Sequence, residues 1–280
     1  MDVMIKQHKN PRREPVAVAA IIPARGGQQS IPYKNLQKLG GKTLLAWAVE
    51  VAFAAKLVDV VVVSTEDKKI AAAARRLGAL VAPRPKQYAQ PTSGDAGFYH
   101  HAVTWLEEEF GWKPELLVNL RPTSPLRFAA DIDAMIRHMR EHPEADGLKS
   151  IIPAPLHPYK MWRMEEHEAR STNSKPGVGA AGKLVPVFDN AWRQQRGPDQ
   201  PRQVIQQKFP VFFQDGQVDI TRRRFILRPE CLQFDNVWGP NLHGYVLDPR
   251  TSTDLDDPAD FRRAARLYRQ LQRERRLSRA

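Results

Sequence analysis

The chain has 280 residues, of which 42% are hydrophobic and 26% charged. This composition is typical of a folded protein with one substantial domain and excludes a chain that is disordered throughout. The single cysteine, Cys231, excludes an internal disulfide and cannot by itself build a zinc site. We therefore expect a globular protein of the cytoplasm.

The formal net charge of +12 indicates an anionic partner, which could be a nucleic acid, a nucleoside triphosphate or a carboxylated sugar. No aromatic stacking platform accompanies the basic C-terminal segment, so a solvated helix face is favoured there over a nucleic-acid surface. The apolar run at 16–24 is too short to span a membrane and predicts a buried strand. We expect neither a nucleic-acid nor a membrane partner. The basic segment contains Arg262, Arg263, Arg266, Arg269, Arg273, Arg275, Arg276 and Arg279.

Apolar runs of strand length alternate with helical patterns from Val16 onward. This order predicts a doubly wound, mostly parallel sheet of the Rossmann-like α/β class. The predicted strands are 16–23, 58–64, 79–82, 115–120, 147–152, 211–220 and 242–247. The predicted helices are one that opens at Gly40-Gly41, then 68–77, 95–110, 129–141 and one that begins at Pro258.

The domain organisation follows from where this alternation holds. Residues 1–15 are predicted to be a disordered basic N-terminus, 16–270 the main domain and 271–280 a basic tail. The alternation fails at about 153–210, which is rich in Pro, Gly, Gln and Arg. An unstructured loop of that length is unusual inside a compact domain, so we expect an inserted lobe.

Ligands of open α/β sheets bind beyond the carboxyl ends of the strands, which makes four loops the candidate site. They are 24–35, 64–67, 121–127 and 248–257.

The first loop carries two glycines directly after a strand, together with Arg25, Lys34 and Asn35. Glycines let backbone N–H groups approach a phosphate, and the two cations can neutralise its charge. The loop is neither a Walker A sequence nor a dinucleotide fingerprint. A structural turn would need the glycines but not the polar residues, so phosphate binding is the favoured interpretation.

The fourth loop carries Asp254 and Asp256, whose side chains can face the same way in extended backbone. Two such carboxylates suit Mg²⁺, which prefers oxygen ligands and keeps waters and substrate phosphates as the remainder. Alternatively, Asp256, Asp257 and Asp260 complement the positive end of the helix that begins at Pro258. The residues alone leave both interpretations open.

The third loop, 121–127, offers a guanidinium and two hydroxyls held by two prolines, which could bind a sugar or a base. On its own it is a turn with charged edges, and this interpretation is favoured over a functional one.

Taken together, the order and spacing of these segments resemble the acylneuraminate cytidylyltransferase family, also called CMP-sialic acid synthetases. Ile22-Pro23-Ala24-Arg25-Gly26-Gly27 with Lys34-Asn35 looks like the family's CTP-binding opening. The resemblance implies that Ala24, Arg25, Gly26, Lys34 and Asn35 bind the nucleotide.

Further motifs extend the resemblance to about Tyr268. Arg84-Pro85 resembles a pair whose arginine lies near the nucleotide, and Pro122-Thr123-Ser124-Pro125-Leu126-Arg127 is among the best matches. The resemblance places Thr123 near the nucleotide and Arg121 and Ser124 near the sugar.

The family's lobe forms a dimer interface and lends cations to the neighbouring site. His157-Pro158-Tyr159-Lys160 and Pro201-Arg202-Gln203 resemble its segments, which implies a homodimer with Lys160, Arg202 and Gln203 as sugar ligands. Ser252-Thr253-Asp254-Leu255-Asp256 resembles the metal-binding end, which implies Asp254 and Asp256 as Mg²⁺ ligands.

The chain departs from the family where Gln28-Gln29 replaces Ser-Lys and where Arg121 replaces a common glutamine. The implied reaction transfers CMP from CTP to an acidic 2-keto sugar and releases pyrophosphate, with Arg25, Lys34, Asp254 and Asp256 in catalytic roles. Two alternatives remain: a nucleotidyltransferase for another sugar acid or nucleotide, such as 3-deoxy-manno-octulosonate, or a non-catalytic binding homologue.

Overall fold

The computed structural model describes residues 16–27, 31–164, 183–197 and 199–277. The predicted disordered segment 1–15, the Gln28-Gln29 pair and the end of the basic tail lie outside the described residues. The chain divides into two compact units. The first combines Met1–Ile152 with Gln214–Ala280, and the second is Pro153–Phe213.

Eleven strands are described, seven of which form the main sheet. They are β1 Val18–Pro23, β2 Lys38–Leu39, β3 Lys42–Thr43, β4 Val60–Thr65, β5 Leu80–Pro83, β6 Leu116–Asn119, β7 Gly147–Pro153, β8 Trp162–Met164, β9 Leu184–Pro186, β10 Phe212–Arg222 and β11 Leu242–Val246.

The described α-helices number nine. They are α1 Leu44–Ala54, α2 Lys68–Arg76, α3 Asp95–Phe110, α4 Ala129–Glu141, α5 Ala191–Arg196, α6 Arg202–Lys208, α7 Arg223–Ile226, α8 Pro229–Phe234 and α9 Pro258–Leu277. Single 3-10 turns occur at Lys34–Leu36, Lys86–Ala89, Pro158–Lys160 and Pro249–Thr251.

The main sheet has the order β11-β7-β10-β6-β1-β4-β5. β1 is parallel to both β4 and β6, β4 is parallel to β5, and β11 is parallel to β7. β10 is antiparallel to β6. The prediction of a mostly parallel, doubly wound sheet is confirmed.

Alternate residues of β1 face opposite sides of the sheet, as the pleat requires. Ala20 and Ile22 lie in a core cluster with residues of α1, α2 and α4, whereas Ala19 and Ile21 lie in a second cluster with α3. Helices therefore cover both faces, which explains why the central strands are apolar throughout.

One predicted helix start is wrong. Gly40 and Gly41 have φ values of 59° and 88° and form the turn between β2 and β3, rather than opening a helix. α1 begins at Leu44, where the hydroxyl of Thr43 accepts a hydrogen bond from the Ala46 N–H. The glycine pair signals a turn with left-handed backbone, which the sequence does not distinguish from a helix entry.

The second unit contains an antiparallel pair, β8 with β9, and the two short helices α5 and α6. Within it, His157 Nε2 lies 2.9 Å from the carbonyl oxygen of Phe209, and Arg193 Nε donates to the carbonyl of Tyr159 at 2.9 Å. These bonds join segments far apart in sequence, so the unit has a folded interior of its own.

The final helix, α9, extends to Leu277 and so includes part of the segment predicted as a tail. Its residue Ala264 packs with Leu39, Leu126 and Leu255 in a third apolar cluster. Among the described helices, none combines the length and the apolar character that a membrane crossing needs.

Asp133 on α4 is a stability determinant that the sequence does not reveal. It is 6% exposed, and its two carboxylate oxygens accept hydrogen bonds from the backbone N–H groups of Lys56 and Leu57 at 2.9 and 2.8 Å. These N–H groups follow α1, so the carboxylate joins two helices on one face of the sheet.

Asp133→Ala should lower the free energy of unfolding by about 2–4 kcal/mol, because two backbone donors lose their acceptor in a largely buried place. Urea titration followed by circular dichroism measures the shift. Asp133→Asn should lower the free energy of unfolding by an intermediate amount. Glu141→Ala, which removes an exposed carboxylate on the same helix, should change it by less than about 0.5 kcal/mol. A loss equal to that of Glu141→Ala would contradict the assigned role.

Candidate active site

The candidate site lies at the carboxyl ends of β1, β4 and β6. Ala24 N–H donates to the carbonyl of Ser64 at 3.0 Å, and Leu120 N–H donates to the carbonyl of Ile21 at 3.1 Å. The hydrogen-bond ladder thus continues one residue beyond the end of β1 on the β4 side and one residue beyond the end of β6. Three of the four predicted loops start side by side at this edge.

The first loop is held by its own polar groups. Gly26 N–H donates to Glu66 Oε1 at 2.7 Å, Arg25 Nη1 donates to the carbonyl of Gln90 at 2.7 Å, and Asn35 Nδ2 donates to the carbonyl of Arg25 at 3.0 Å. Asn35 is 9% exposed. In this structure Asn35 fixes the loop, and the Gly26 N–H proposed for phosphate is used by Glu66.

Glu66 and Asp67 complete this part of the edge; they lie in the predicted loop 64–67 but were not among the individually predicted site residues. The Oε2 atom of Glu66 is buried without a hydrogen-bond partner, while Asp67 Oδ1 accepts from the N–H groups of Lys69 and Ile70 and caps α2. An aspartate before an alanine-rich helix is a recognisable cap. The contact of Glu66 with Gly26 is non-local and has no comparable sequence signal.

Arg84 lies under the site. It is 6% exposed, with Nε donating to Ser64 Oγ at 3.0 Å, Nη2 donating to the Ser64 carbonyl at 2.7 Å, and its guanidinium 5.1 Å from the ring centroid of Phe98. Burial lowers the pKa of Arg84 to about 10. The residue predicted to bind nucleotide thus secures the end of β4, and its contact with nucleotide stays a prediction.

The 121–127 loop is organised by Arg127. Its Nε donates to the carbonyl of Ser124 at 2.8 Å and its Nη2 to the carbonyl of Arg121, and burial lowers the pKa of Arg127 to about 9. Ser124, a predicted sugar ligand, is only 1% exposed and is therefore buried in this structure. Arg121 forms an ion pair with Asp95 at the start of α3, a partner that the sequence does not reveal.

The fourth loop meets the first and the third. Leu255 N–H donates to the carbonyl of Thr123 at 3.0 Å, and Lys34 Nζ lies 2.8 Å from Asp256 Oδ1. Segments more than 120 residues apart in the chain are therefore joined at one point. The structure brings together Lys34, Thr123, Asp254 and Asp256.

The carboxylates of Asp254 and Asp256 repel each other in this loop. Burial raises the pKa of Asp254, and the charge of Asp256 raises it further, against the smaller opposing effects of a Thr123 hydrogen bond and of Lys34. Such a pair of carboxylates is stabilised by a cation placed between them.

Asp257 and Asp260 have a different role from Asp254 and Asp256. Asp260 Oδ2 accepts from the N–H groups of Asp256 and Asp257 at 2.9 Å, and Asp257 Oδ1 accepts from the N–H of Asp260 at 2.9 Å. These two carboxylates cap α9, as the alternative interpretation required for them. The carboxylates of Asp254 and Asp256 take no part in those three bonds.

The donor set fits a hard divalent cation with few protein ligands. Among the residues described, no group of three or more His, Cys, Asp or Glu side chains is arranged to hold a metal. Two carboxylates from one loop match the way Mg²⁺ binds, with waters and substrate phosphates as its other ligands. Asp254 and Asp256 would hold the ion.

The predicted sugar ligands Lys160, Arg202 and Gln203 lie in the second unit. Lys160 ends a 3-10 turn, Arg202 and Gln203 begin α6, and Arg202 Nη2 lies 3.4 Å from the carbonyl of Ala154. Their role toward a sugar stays a prediction.

Comparison with known proteins identifies the family. A family model described as "Cytidylyltransferase" matches residues 19–201. The chain belongs to this family. Post-translational flagellin modification protein B of Campylobacter coli is 25% identical over 88% of this chain and 92% of its own length. CMP-N,N'-diacetyllegionaminic acid synthase of Legionella pneumophila is 30% identical over 52% of this chain and 61% of its own length.

Other matches bear on fold and coverage. This cytidylyltransferase spans 52% and 55% of the length of two 3-deoxy-manno-octulosonate cytidylyltransferases of Anaeromyxobacter that it matches. A solved structure of CMP:2-keto-3-deoxy-manno-octonic acid synthetase superposes with a TM-score of 0.59 at 15% identity, covering 91% of this chain and 99% of that one. This likeness shows the fold. The expected nucleotidyltransferase enzyme is confirmed by the family.

Cys231 of the cytidylyltransferase is a core residue. It is 1% exposed and packs on the α3 side of the sheet, where burial raises the pKa of its thiol to about 11. A thiol with such a pKa is almost entirely protonated at neutral pH, which excludes a role as a thiolate nucleophile.

Native protein at pH 8 should therefore react with iodoacetamide at least about 100-fold more slowly than urea-unfolded protein. Mass spectrometry of the Cys231 peptide measures both rates. Equal rates would show an accessible thiolate and contradict this assignment.

Proposed function

We propose that this cytidylyltransferase transfers CMP from CTP to the anomeric hydroxyl of an acidic 2-keto sugar of the sialic, legionaminic or pseudaminic type, with Mg²⁺ required and pyrophosphate released. Family membership supports the use of CTP. The relative named as a CMP-N,N'-diacetyllegionaminic acid synthase supports a sugar acid of this type.

The observation that carries the proposal is the meeting of Lys34, Thr123 and Asp256 at the carboxyl edge of the sheet. Lys34 belongs to the glycine-containing loop, and Asp256 lies 2.8 Å from its ammonium. A triphosphate at this edge would have a lysine, two carboxylates for a cation, and the half-buried guanidinium of Arg25 within one group of joined loops.

The reaction forms a bond between the anomeric oxygen and the α-phosphorus and breaks the bond from that phosphorus to the bridging oxygen of pyrophosphate. Arg25 and Lys34 would orient the triphosphate and stabilise the charge that develops on the leaving group. The anomeric hydroxyl gives up its proton to water as the new bond forms. A bound Mg²⁺ would supply Lewis-acid polarisation of phosphate oxygens.

Two other functions have specific support. The matches to 3-deoxy-manno-octulosonate cytidylyltransferases favour an octulosonic acid as the acceptor. Arg121, which stands where the resembled family commonly has glutamine, and the Gln28-Gln29 departure also favour another sugar acid or nucleotide, whereas the lysine absent at Gln28-Gln29 favours a non-catalytic binding homologue. The presence of both Asp254 and Asp256 argues against the non-catalytic homologue. Lys160, Arg202 and Gln203, in a homodimer, stay the proposed cationic and polar ligands of the sugar acid on the resemblance alone.

Pyrophosphate release tests the reaction. Purified protein with Mg²⁺, each of the four nucleoside triphosphates and a panel of sialic, legionaminic, pseudaminic and octulosonic acids should release pyrophosphate with CTP and one acid. Asp254→Ala should reduce the rate roughly 100-fold or more, because one of two protein ligands for the cation is lost. Removing Mg²⁺ with EDTA should abolish release.

Asp248→Asn, which changes a carboxylate in the same loop that pairs with Arg250, should keep most of the activity. Release with an octulosonic acid alone would assign the alternative acceptor. Silence across the panel while CTP still binds would contradict catalysis on these acids and favour the non-catalytic homologue.

The two glycines of the first loop provide a matched pair for the nucleotide site. A Cβ on Gly26 would lie 2.5 Å from Asp67 Cβ, whereas the nearest atom to a Cβ on Gly27 is the Ala89 carbonyl oxygen at 3.9 Å. Gly26→Ala must displace the loop, and Gly27→Ala need not.

Gly26→Ala should weaken CTP binding by about 10-fold or more, and Gly27→Ala by less than about 3-fold, because only the former displaces loop backbone and the side chains it carries. Isothermal titration calorimetry with CTP and Mg²⁺ measures both. Equal affinities for the two variants would place the nucleotide elsewhere.

A further inference from the structure

The ion pair between Lys34 and Asp256 is asymmetric in its surroundings. The Lys34 side chain is 10% exposed, whereas that of Asp256 is 73% exposed, with 2.8 Å between Nζ and Oδ1. The backbone next to Lys34 is fixed, because Asn35 is buried and donates to the carbonyl of Arg25. A largely buried lysine of the first loop therefore forms an ion pair with an exposed carboxylate of the fourth loop.

The position of the ammonium matters because Asp256 is one of the two carboxylates that fit a divalent cation. An ammonium in contact with that carboxylate and a divalent ion on the same carboxylate repel each other strongly at these distances. The two cations are therefore competitors for Asp256. Thr123 carries no charge, and its carbonyl accepts a hydrogen bond from the Leu255 N–H, which positions the loop backbone.

Lys34 also belongs to the loop proposed for the triphosphate, 24–35. Asn35, its neighbour in the chain, is bonded to Arg25 of that loop. An ammonium displaced from Asp256 has an anionic phosphate as its alternative partner when nucleotide is present. The same lysine thus connects the carboxylates and the nucleotide loop.

We propose that Lys34 is a stand-in cation: it neutralises Asp256 while the site is empty, gives up that carboxylate when a divalent cation binds to Asp254 and Asp256, and then pairs with the nucleotide phosphates. This inference rests on the proposed function for the identity of the ligands. It makes cation and nucleotide binding mutually favourable. The nucleotide phosphates draw Lys34 away from Asp256, and the cation on Asp256 releases Lys34 to pair with the phosphates.

Binding of Mn²⁺ to nucleotide-free protein tests the inference without catalysis. Electron paramagnetic resonance of free Mn²⁺ during titration gives the dissociation constant. Lys34→Gln should bind Mn²⁺ roughly 10-fold more tightly than the unaltered chain, because the competing charge is gone. The difference should shrink as ionic strength rises. If Lys34 were a structural clamp that organises Asp256, the same variant would bind Mn²⁺ more weakly.

Lys42→Gln is the matched control, because Lys42 also forms an ion pair, with Glu50, outside this site. It should leave the Mn²⁺ dissociation constant within about 2-fold, since its charge is screened from the two carboxylates. Asp254→Ala should abolish the tight binding in every background. Unchanged or weaker Mn²⁺ binding by Lys34→Gln would overturn the inference.

A second measurement uses the unaltered chain. Brief acetylation followed by mass spectrometry should show faster modification of Lys34 after Mg²⁺ is added without nucleotide, because its ammonium has left Asp256. The rate at Lys42 should stay constant. An unchanged rate at Lys34 would overturn the inference even if Lys34→Gln failed to fold.

The outcomes separate this inference from the proposed function. Cation binding that depends on Asp254 but does not tighten in Lys34→Gln refutes the exchange and leaves the metal site intact. Absence of cation binding in the unaltered chain refutes the exchange and the metal requirement together.

Discussion

Parallel pairing of β1 with both β4 and β6 is the constraint on which the rest of the site depends. Because the three strands run in the same direction, their carboxyl ends, and hence their loops, lie at one edge of the sheet. The pairing is possible because alternate residues of β1 are buried under helices on both faces. Core packing thus determines where the polar loops are located. Because the loops are already adjacent in space, hydrogen bonds and ion pairs between them complete the site.

Two buried arginines convert that placement into fixed geometry. Arg84 binds the end of β4 through Ser64, and Arg127 binds two carbonyls of its own loop. Burial lowers the pKa of both, to about 10 and about 9, yet each stays protonated at neutral pH. A buried cation that donates to carbonyls rather than to carboxylates keeps its charge without neutralising the site. The hydrogen bonds that they donate offset only part of their desolvation, which is why the pKa of each is lowered.

Sequence patterns predicted this fold well where burial is periodic. α3 and α4 have the predicted limits because their apolar faces repeat at helical spacing, and the strands are recognisable as apolar runs between glycines and prolines. α7 and α8, with four and six residues, are too short to show a period, so they were not predicted. Gly40-Gly41 was misassigned because the same two residues suit a turn and a helix entry.

The candidate site was predictable in its loops but not in its internal partners. Residue type and position after strands make Lys34, Asp254 and Asp256 candidates, and the resemblance selects the two aspartates as metal ligands. The structure places the three residues together. Glu66 with Gly26 and Asp95 with Arg121 are contacts between distant segments, and a single sequence carries no signal for such pairs. Which residue a buried carboxylate contacts depends on how helices pack, which propensity and spacing do not specify.

Charge at this edge differs from the charge of the chain as a whole. The net charge of the chain is +12, yet carboxylates lie beside the cations of this edge, since Glu66 accepts from the Gly26 N–H and Asp256 pairs with Lys34. A triphosphate with about four negative charges therefore meets carboxylates as well as cations, and charges more than roughly 10 Å away are largely screened in salt. A cation that binds together with the triphosphate reduces the repulsion from these carboxylates, which is a physical reason for a carboxylate pair beside a phosphate loop.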